Sequence, residues 1–285
     1  MSRRLTLIGG GRMGEAIVEG LLRSAWTTPE SVTVAERLAT RREELCALDG
    51  LAGRHPGLEV VDPDQLGSQG QLEDVIVAVK PGDVEEACRR IAGVGASRVL
   101  SVAAGIRLLS LEQWLAGAGV SGAAGAAPAV IRAMPNTPSL VGAGAAAISA
   151  GIGAGTHDIE WAREVLGCLG MVVVVPEGLL DAVTGLSGSG PAYVSMLVEA
   201  LIDAGVLVGL PRHTARDLAV QTVLGTARLL AESGESPETL RAGVTSPGGT
   251  TAAGLRVLEA RAWRSAVIEA VCAAAERSAE IAAGG

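Results

Sequence analysis

The 285-residue sequence predicts an α/β domain on a mostly parallel sheet, followed by an all-α domain. Three observations carry this. Short β-branched runs alternate with helical patterns through the first 177 residues. A glycine-rich turn follows the first of those runs. After about Gly178 the strand signal stops and only helical periodicity continues. Strand–helix alternation is the signature of a parallel sheet with crossover helices.

In chain order, the expected strands are Leu5–Ile8, Ser31–Ala35, Val75–Val79, Arg98–Val102, Val130–Ala133, Ala145–Ile148 and Met171–Val175. Helices are expected at Gly14–Ser24, Leu38–Leu48, Val84–Ile91, Ser110–Leu115 and Asp158–Leu169. The turn Gly9-Gly10-Gly11-Arg12-Met13-Gly14 matches G-x-G-x-x-G between a strand and a helix. Gly9 suits a tight turn, Gly11 lets a pyrophosphate approach the backbone, and Gly14 allows close helix–strand packing. The pyrophosphate would lie at the helix end near Arg12 and Met13. Glu36 follows 22 residues after Gly14, where a ribose-binding acid is expected. Residues 1–177 therefore read as a dinucleotide-binding Rossmann domain. Glu36 suits the 2′-hydroxyl of NADH, whereas Arg37, Arg41 and Arg42 would suit the 2′-phosphate of NADPH, so the cofactor is NADPH or NADH. Ala78-Val79-Lys80-Pro81 and Ala104-Gly105 end two further strands at the same sheet edge and are expected to border the cofactor.

Residues 178–285 read as all-helical: Asp181–Leu186, Pro191–Val208, Pro211–Ala231, Pro237–Ala242, Thr251–Ala260 and Ala262–Ile281, with prolines at plausible first-turn positions. The segment Pro191–Val208 is apolar nearly all round. Such a helix must be covered on all sides, and a second subunit is the expected cover, which makes this a dimerisation domain.

A net charge of −8 argues against a nucleic-acid surface. No membrane partner is expected either, since the apolar stretch Tyr193–Leu210 carries Glu199 and Asp203. A cytoplasmic location follows. The four cysteines, Cys46, Cys88, Cys168 and Cys272, are scattered and read as small buried hydrophobes. Together with the dispersed His55, His157 and His213 they form no metal constellation.

Absences narrow the chemistry. The only tyrosine, Tyr193, is followed four residues later by Leu197, so no Tyr-x-x-x-Lys pair exists. The only lysine, Lys80, lies outside the helical domain, and His213 reads as an exposed helix start. Carbonyl reduction relies on such acids and bases. A cyclic imine does not, because it arrives protonated and needs chiefly orientation and a carboxylate anchor. Thr245-Ser246-Pro247-Gly248-Gly249-Thr250-Thr251, a small-residue loop opening a helix, supplies such an anchor.

Taken in order, Ala78–Pro81, Met134-Pro135-Asn136-Thr137-Pro138, Asp181–Tyr193, Gly209-Leu210-Pro211 and Ser246–Thr251 resemble pyrroline-5-carboxylate reductase over essentially the whole chain. The resemblance implies hydride transfer from NAD(P)H to C5 of L-1-pyrroline-5-carboxylate, giving L-proline, the last step of proline biosynthesis. It implies that Ser246, Gly248, Gly249, Thr250 and Thr251 hold the substrate carboxylate, with the Thr251 hydroxyl reaching the ring nitrogen. It places Asn136 beside the cofactor. It also implies a homodimer, often assembled into a decamer as a pentamer of dimers. A reductase of the six-membered homologue and a non-catalytic dinucleotide-binding protein are the competing readings.

Overall fold

The computed structural model describes residues 4–67, 72–116 and 127–284; most of the Gly/Ala-rich stretch 117–129 lies outside them. Eight strands, β1 (Leu5–Ile8), β2 (Val32–Ala35), β3 (Glu59–Val61), β4 (Leu72–Val77), β5 (Ala96–Ser101), β6 (Ala129–Met134), β7 (Gly144–Ala150) and β8 (Gly170–Val174), form one sheet. Its order is β3-β2-β1-β4-β5-β6-β7-β8. Only the β6–β7 pairing is antiparallel. The helices interleaved with them are α1 (Arg12–Arg23), α2 (Ala39–Cys46), α3 (Leu51–Arg54), α4 (Val84–Val94), α5 (Leu108–Leu115) and α6 (Thr156–Gly167).

Successive strand residues point to opposite sheet faces, and here they feed two separate cores. Leu5, Leu7, Ile76, Leu100 and Ile131 pack with Ile17, Val18 and Leu21 of α1 and with Trp161 and Val165 of α6. Ile8, Val75, Val77, Val99 and Val130 pack with Val84, Cys88 and Ile91 of α4 and with Leu108 and Leu111 of α5. Continuous apolar strands thus bury both faces, as a sheet covered by helices on each side requires.

Two elements escaped the sequence reading, β3 and α3. Both are short, and β3 is a three-residue edge strand whose burial pattern shows no alternation of buried and exposed positions. The cysteine expectation needs correction. Cys88 is buried, but Cys46 and Cys272 are exposed in the single chain and Cys168 is intermediate. Burial, helped by Glu85, pushes the Cys88 thiol up to about 12, so it is inert at neutral pH. Cys46 differs because it ends α2 at the surface.

Among the described residues of the first unit two charged ones are buried, Asp74, which pairs with Arg98, and Arg132. Arg132 on β6 is 5% exposed, and its guanidinium meets Glu177 Oε1 at 2.9 Å. The same oxygen accepts the Leu108 amide at the start of α5 at 2.7 Å.

After β8 the chain is helical: α7 (Leu180–Val183), α8 (Gly190–Leu207), α9 (Arg212–Ser233), α10 (Pro237–Gly243), α11 (Thr250–Ala260) and α12 (Trp263–Gly284). The helix expected at Asp181–Leu186 is instead one α turn running into a π turn at Thr184–Gly188. There the Thr184 and Ser187 hydroxyls donate to Leu180 O (2.8 Å) and Val183 O (3.0 Å), a back-bonding habit that distorts helices. Two compact units result: Met1–Gly188 with Ala274–Gly285, and Ser189–Ala273. The sequence reading drew its domain line earlier, at 177/178, where the strands end.

The second unit has almost no core of its own. Only Ala215 and Ala219 are buried within it, while Met196, Leu207, Val208, Leu218 and Ile268 are more than half exposed. The stretch Glu177–Leu207 is long and apolar enough, by length and composition, to cross a bilayer.

Candidate functional site

The sheet changes winding direction at the β1–β4 pair, where one half of the chain runs to β3 and the other to β8. Ligands of open α/β sheets bind outside the carboxyl ends of strands at such a switch point. A cleft of about 590 Å³ opens there. The backbone brings its parts together directly: Gly9 N donates to Ala35 O beyond β1, and Ala78 N donates to Ile8 O, both at 2.8 Å.

The three fingerprint glycines have different local reasons. Gly9 has φ +104, and a Cβ there would lie 2.7 Å from Ala78 O. Gly14, in the first turn of α1, would place a Cβ against Gly9 O and 2.8 Å from Leu7 Cδ2. Gly11 meets nothing within 4 Å. The space it leaves faces a helix start whose first amides have no intrahelical acceptor. An open approach, unpaired donors and the helix dipole together fit a dinucleotide pyrophosphate, with the dipole alone worth roughly 0.3–1 kcal/mol per anion.

Gly9, Gly11, Glu36, Arg37, Ala78, Val79 and Lys80 all line this cleft. Arg12, Met13 and Gly14 form the first turn of α1, and Pro81 begins the 3-10 turn after β4. Ala104 and Gly105 follow β5, where Gly105 takes φ +76. Asn136 lies outside the cleft lining. Its amide nitrogen donates to Ser187 O at 3.1 Å and its oxygen accepts Ala145 N at 2.8 Å, which ties β7 to the π turn.

Sequence reasoning missed part of the lining. Asp62 follows the overlooked β3, while Asp83, Glu86 and Arg90 recur at helical spacing along the start of α4. That spacing, directly after Lys80-Pro81, was the available signal. The arginines behind Glu36 are engaged rather than free. Arg41 donates Nε to Gly10 O (2.8 Å) and pairs with Glu15 (2.7 Å) and Glu44 (2.9 Å). The Glu44 hydrogen bond, and to a lesser degree Glu15, raises its pKa against the lowering effect of burial. Arg42 pairs with Asp62 at 2.9 Å and donates to the carbonyls of Glu36 and Arg37.

The predicted anion loop belongs to the second unit and opens α11. Gly248 takes φ +71, and Gly249 N donates to Ser246 O at 3.0 Å. Thr245 closes the preceding turn through its hydroxyl on Arg241 O at 2.6 Å. Gly249 caps α11 without a side-chain acceptor, so the first amides of Thr250 and Thr251 point out of the helix beside two hydroxyls. A helix start of this geometry suits an anion such as a carboxylate. Among the described residues no group of His, Cys, Asp and Glu could hold a metal ion.

Comparison with known proteins matches two family models to the chain. Residues 177–281 match the model of the pyrroline-5-carboxylate reductase dimerisation domain, and residues 4–105 match that of the coenzyme F420-dependent NADP oxidoreductases. A Synechocystis pyrroline-5-carboxylate reductase is 44% identical over 99% of both chains, and one from Arabidopsis thaliana is 39% identical over 98% of this chain and 96% of its own. Among solved structures, a pyrroline-5-carboxylate reductase from Coxiella burnetii superposes with a TM-score of 0.84 at 33% identity, covering 99% of each chain. The Plasmodium falciparum pyrroline carboxylate reductase, solved with NADP bound, superposes at 0.78 with 26% identity, covering 98% of each. With identity of this order to reductases of that name over its whole length, the chain belongs to the pyrroline-5-carboxylate reductase family.

Proposed function

We propose that this protein reduces L-1-pyrroline-5-carboxylate to L-proline with NAD(P)H, the closing step of proline biosynthesis, in the cytoplasm. The observation that carries the proposal is the match to reductases of that name over the full length, spanning both the dinucleotide cleft and the anion loop.

The bound nicotinamide supplies the hydride for C5 of the ring. The chain supplies position. Gly9, Gly11 and the start of α1 hold the pyrophosphate, Ala78–Pro81 borders the cofactor, and Ser246, Gly248, Gly249 and Thr250 take the substrate carboxylate on amides and hydroxyls. Hydride addition to the protonated C=N leaves a neutral amine, so no strong acid or base is required. A single hydroxyl, that of Thr251, orients the ring nitrogen. Thr251→Ala is therefore expected to lower turnover about 100-fold, as for loss of one oriented donor, while NAD(P)H binding persists. Steady-state oxidation of the reduced cofactor checks this, with the six-membered imino acid as comparison substrate. Unchanged turnover would remove Thr251 from the site.

The exposed apolar helices of the second unit support a homodimer in which a second copy, rather than a bilayer, covers α8. The family resemblance extends this to a pentamer of dimers. Sedimentation should show a multiple of the monomer mass at micromolar concentration, and a monomer throughout that range would exclude both assemblies.

A further inference from the structure

We infer that this chain selects NADH over NADPH, and that a pinned Glu36 carboxylate enforces the choice; the inference rests on the dinucleotide reading of the cleft. Glu36 follows β2 and is held at four points. Its Oε2 accepts Gly10 N and its Oε1 accepts Leu38 N, both at 2.8 Å. Its own amide donates to Val61 O at 3.0 Å, and its carbonyl accepts Arg42 Nη1 at 2.8 Å. Rotating the carboxylate away would strip acceptors from two loop amides at once, and unpaired amides are disfavoured.

Each pinned oxygen retains a second lone pair. That suits a ribose hydroxyl, which has a proton to donate. A 2′-phosphate has only acceptors and carries close to two negative charges, so it would meet the carboxylate as like against like.

The cations around Glu36 do not offset this. Arg37 pairs with Asp83 (3.2 Å) and Glu86 (3.7 Å). Arg41 is held by Glu15, Glu44 and Gly10 O. Arg90 is held by Asp64 and, at 3.0 Å, by Glu86. Six carboxylates line the cleft (Glu36, Glu44, Asp62, Asp64, Asp83, Glu86) against four cations (Arg37, Arg41, Lys80, Arg90), an acidic excess of two. Lys80 is the only one of those four without an ion pair among the described residues. It follows Ala78 and Val79, the pair packed on Gly9, and so belongs with the pyrophosphate end of the loop.

The test is to titrate the full chain with NADH and with NADPH, reading reduced-nicotinamide fluorescence rather than turnover. The wild type should bind NADH at least about tenfold more tightly, the scale of one unfavourable charge contact near a protein surface. Glu36→Ser should close that gap by tightening NADPH. Asp83→Asn, which removes the nearer of the two carboxylates on Arg37 and leaves Glu86 at 3.7 Å, should also tighten NADPH without touching the glycine loop. This second variant decides the matter if Glu36→Ser loosens the loop and weakens both ligands. Equal or tighter NADPH binding by the wild type overturns the inference. So does an unaltered ratio in both variants, or a selective loss of NADPH in Lys80→Ala, which would mean that Lys80 serves the phosphate. Binding of neither dinucleotide would instead bring down the reading of the cleft itself.

Discussion

Gly14→Ala is expected to destabilise the first unit and weaken dinucleotide binding, while Gly11→Ala is expected to weaken binding by more than about tenfold and leave stability intact. Both glycines belong to one fingerprint, yet they face different obstacles. A Cβ on Gly14 runs into Gly9 O, a backbone atom, and sits 2.8 Å from Leu7 Cδ2 in the core under β1. Neither can yield without moving the turn that holds Gly9. Overpacking of this kind costs about 1–3 kcal/mol, and each kcal/mol lowers Tm by about 2–4 °C in a chain of this size. A Cβ on Gly11 meets no protein atom within 4 Å, and its φ of −73 is ordinary for alanine. The folded chain is then unchanged or slightly firmer, by about 0.4–1 kcal/mol through the unfolded state. The methyl fills the space the pyrophosphate must enter, so affinity should fall by more than about tenfold, or 1.4 kcal/mol. Thermal unfolding paired with fluorescence titration separates the two. Equal Tm losses in both variants would mean that Gly11 is structural as well.

Removing Glu177 should be among the damaging changes away from the cleft. Arg132 is buried, its Nε has no partner among the described residues, and Glu177 is the carboxylate on its Nη1. Glu177→Ala leaves a buried cation uncompensated and takes the acceptor from Leu108 N. Breaking one side of a buried pair costs about 3–5 kcal/mol. The double variant Arg132→Met with Glu177→Gln removes the charge and keeps an acceptor for the Leu108 amide. It should recover most of the loss, because apolar replacement of a buried pair is often neutral. Denaturant unfolding of Arg132→Met, of Glu177→Gln and of the double gives the coupling. Additive losses would show that the two side chains act independently.

Much of the fold is legible in the sequence. Unbroken β-branched runs such as Val75–Val77 in β4 mark seven strands, because a strand buried on both faces is apolar throughout, and helical periodicity marks most helices. β3 was not legible, since three half-exposed residues hold too little pattern. Its absence hid Asp62, a wall of the cleft. The glycine loop and the Ser246–Thr251 turn were readable as motifs because backbone geometry demands those small residues. What no sequence pattern conveys is the pairing of side chains far apart in the chain. Arg41 and Arg42 looked like phosphate ligands in a string of letters. In three dimensions each is spoken for, by Glu15 and Glu44 and by Asp62. The same holds for Glu36, whose position was predicted but whose grip on Gly10 was not.

The helical unit's scarcity of interior has a consequence for how this protein can diverge. With only Ala215 and Ala219 buried in Ser189–Ala273, residues such as Met196 and Leu207 acquire neighbours from an identical chain in the proposed dimer. Across a two-fold axis, each inherited change appears on both sides of the contact. Compensation must then come from the same gene copy. A duplicated copy drifting at these positions would come to recognise itself before it lost its chemistry, and the two lineages would cease to mix.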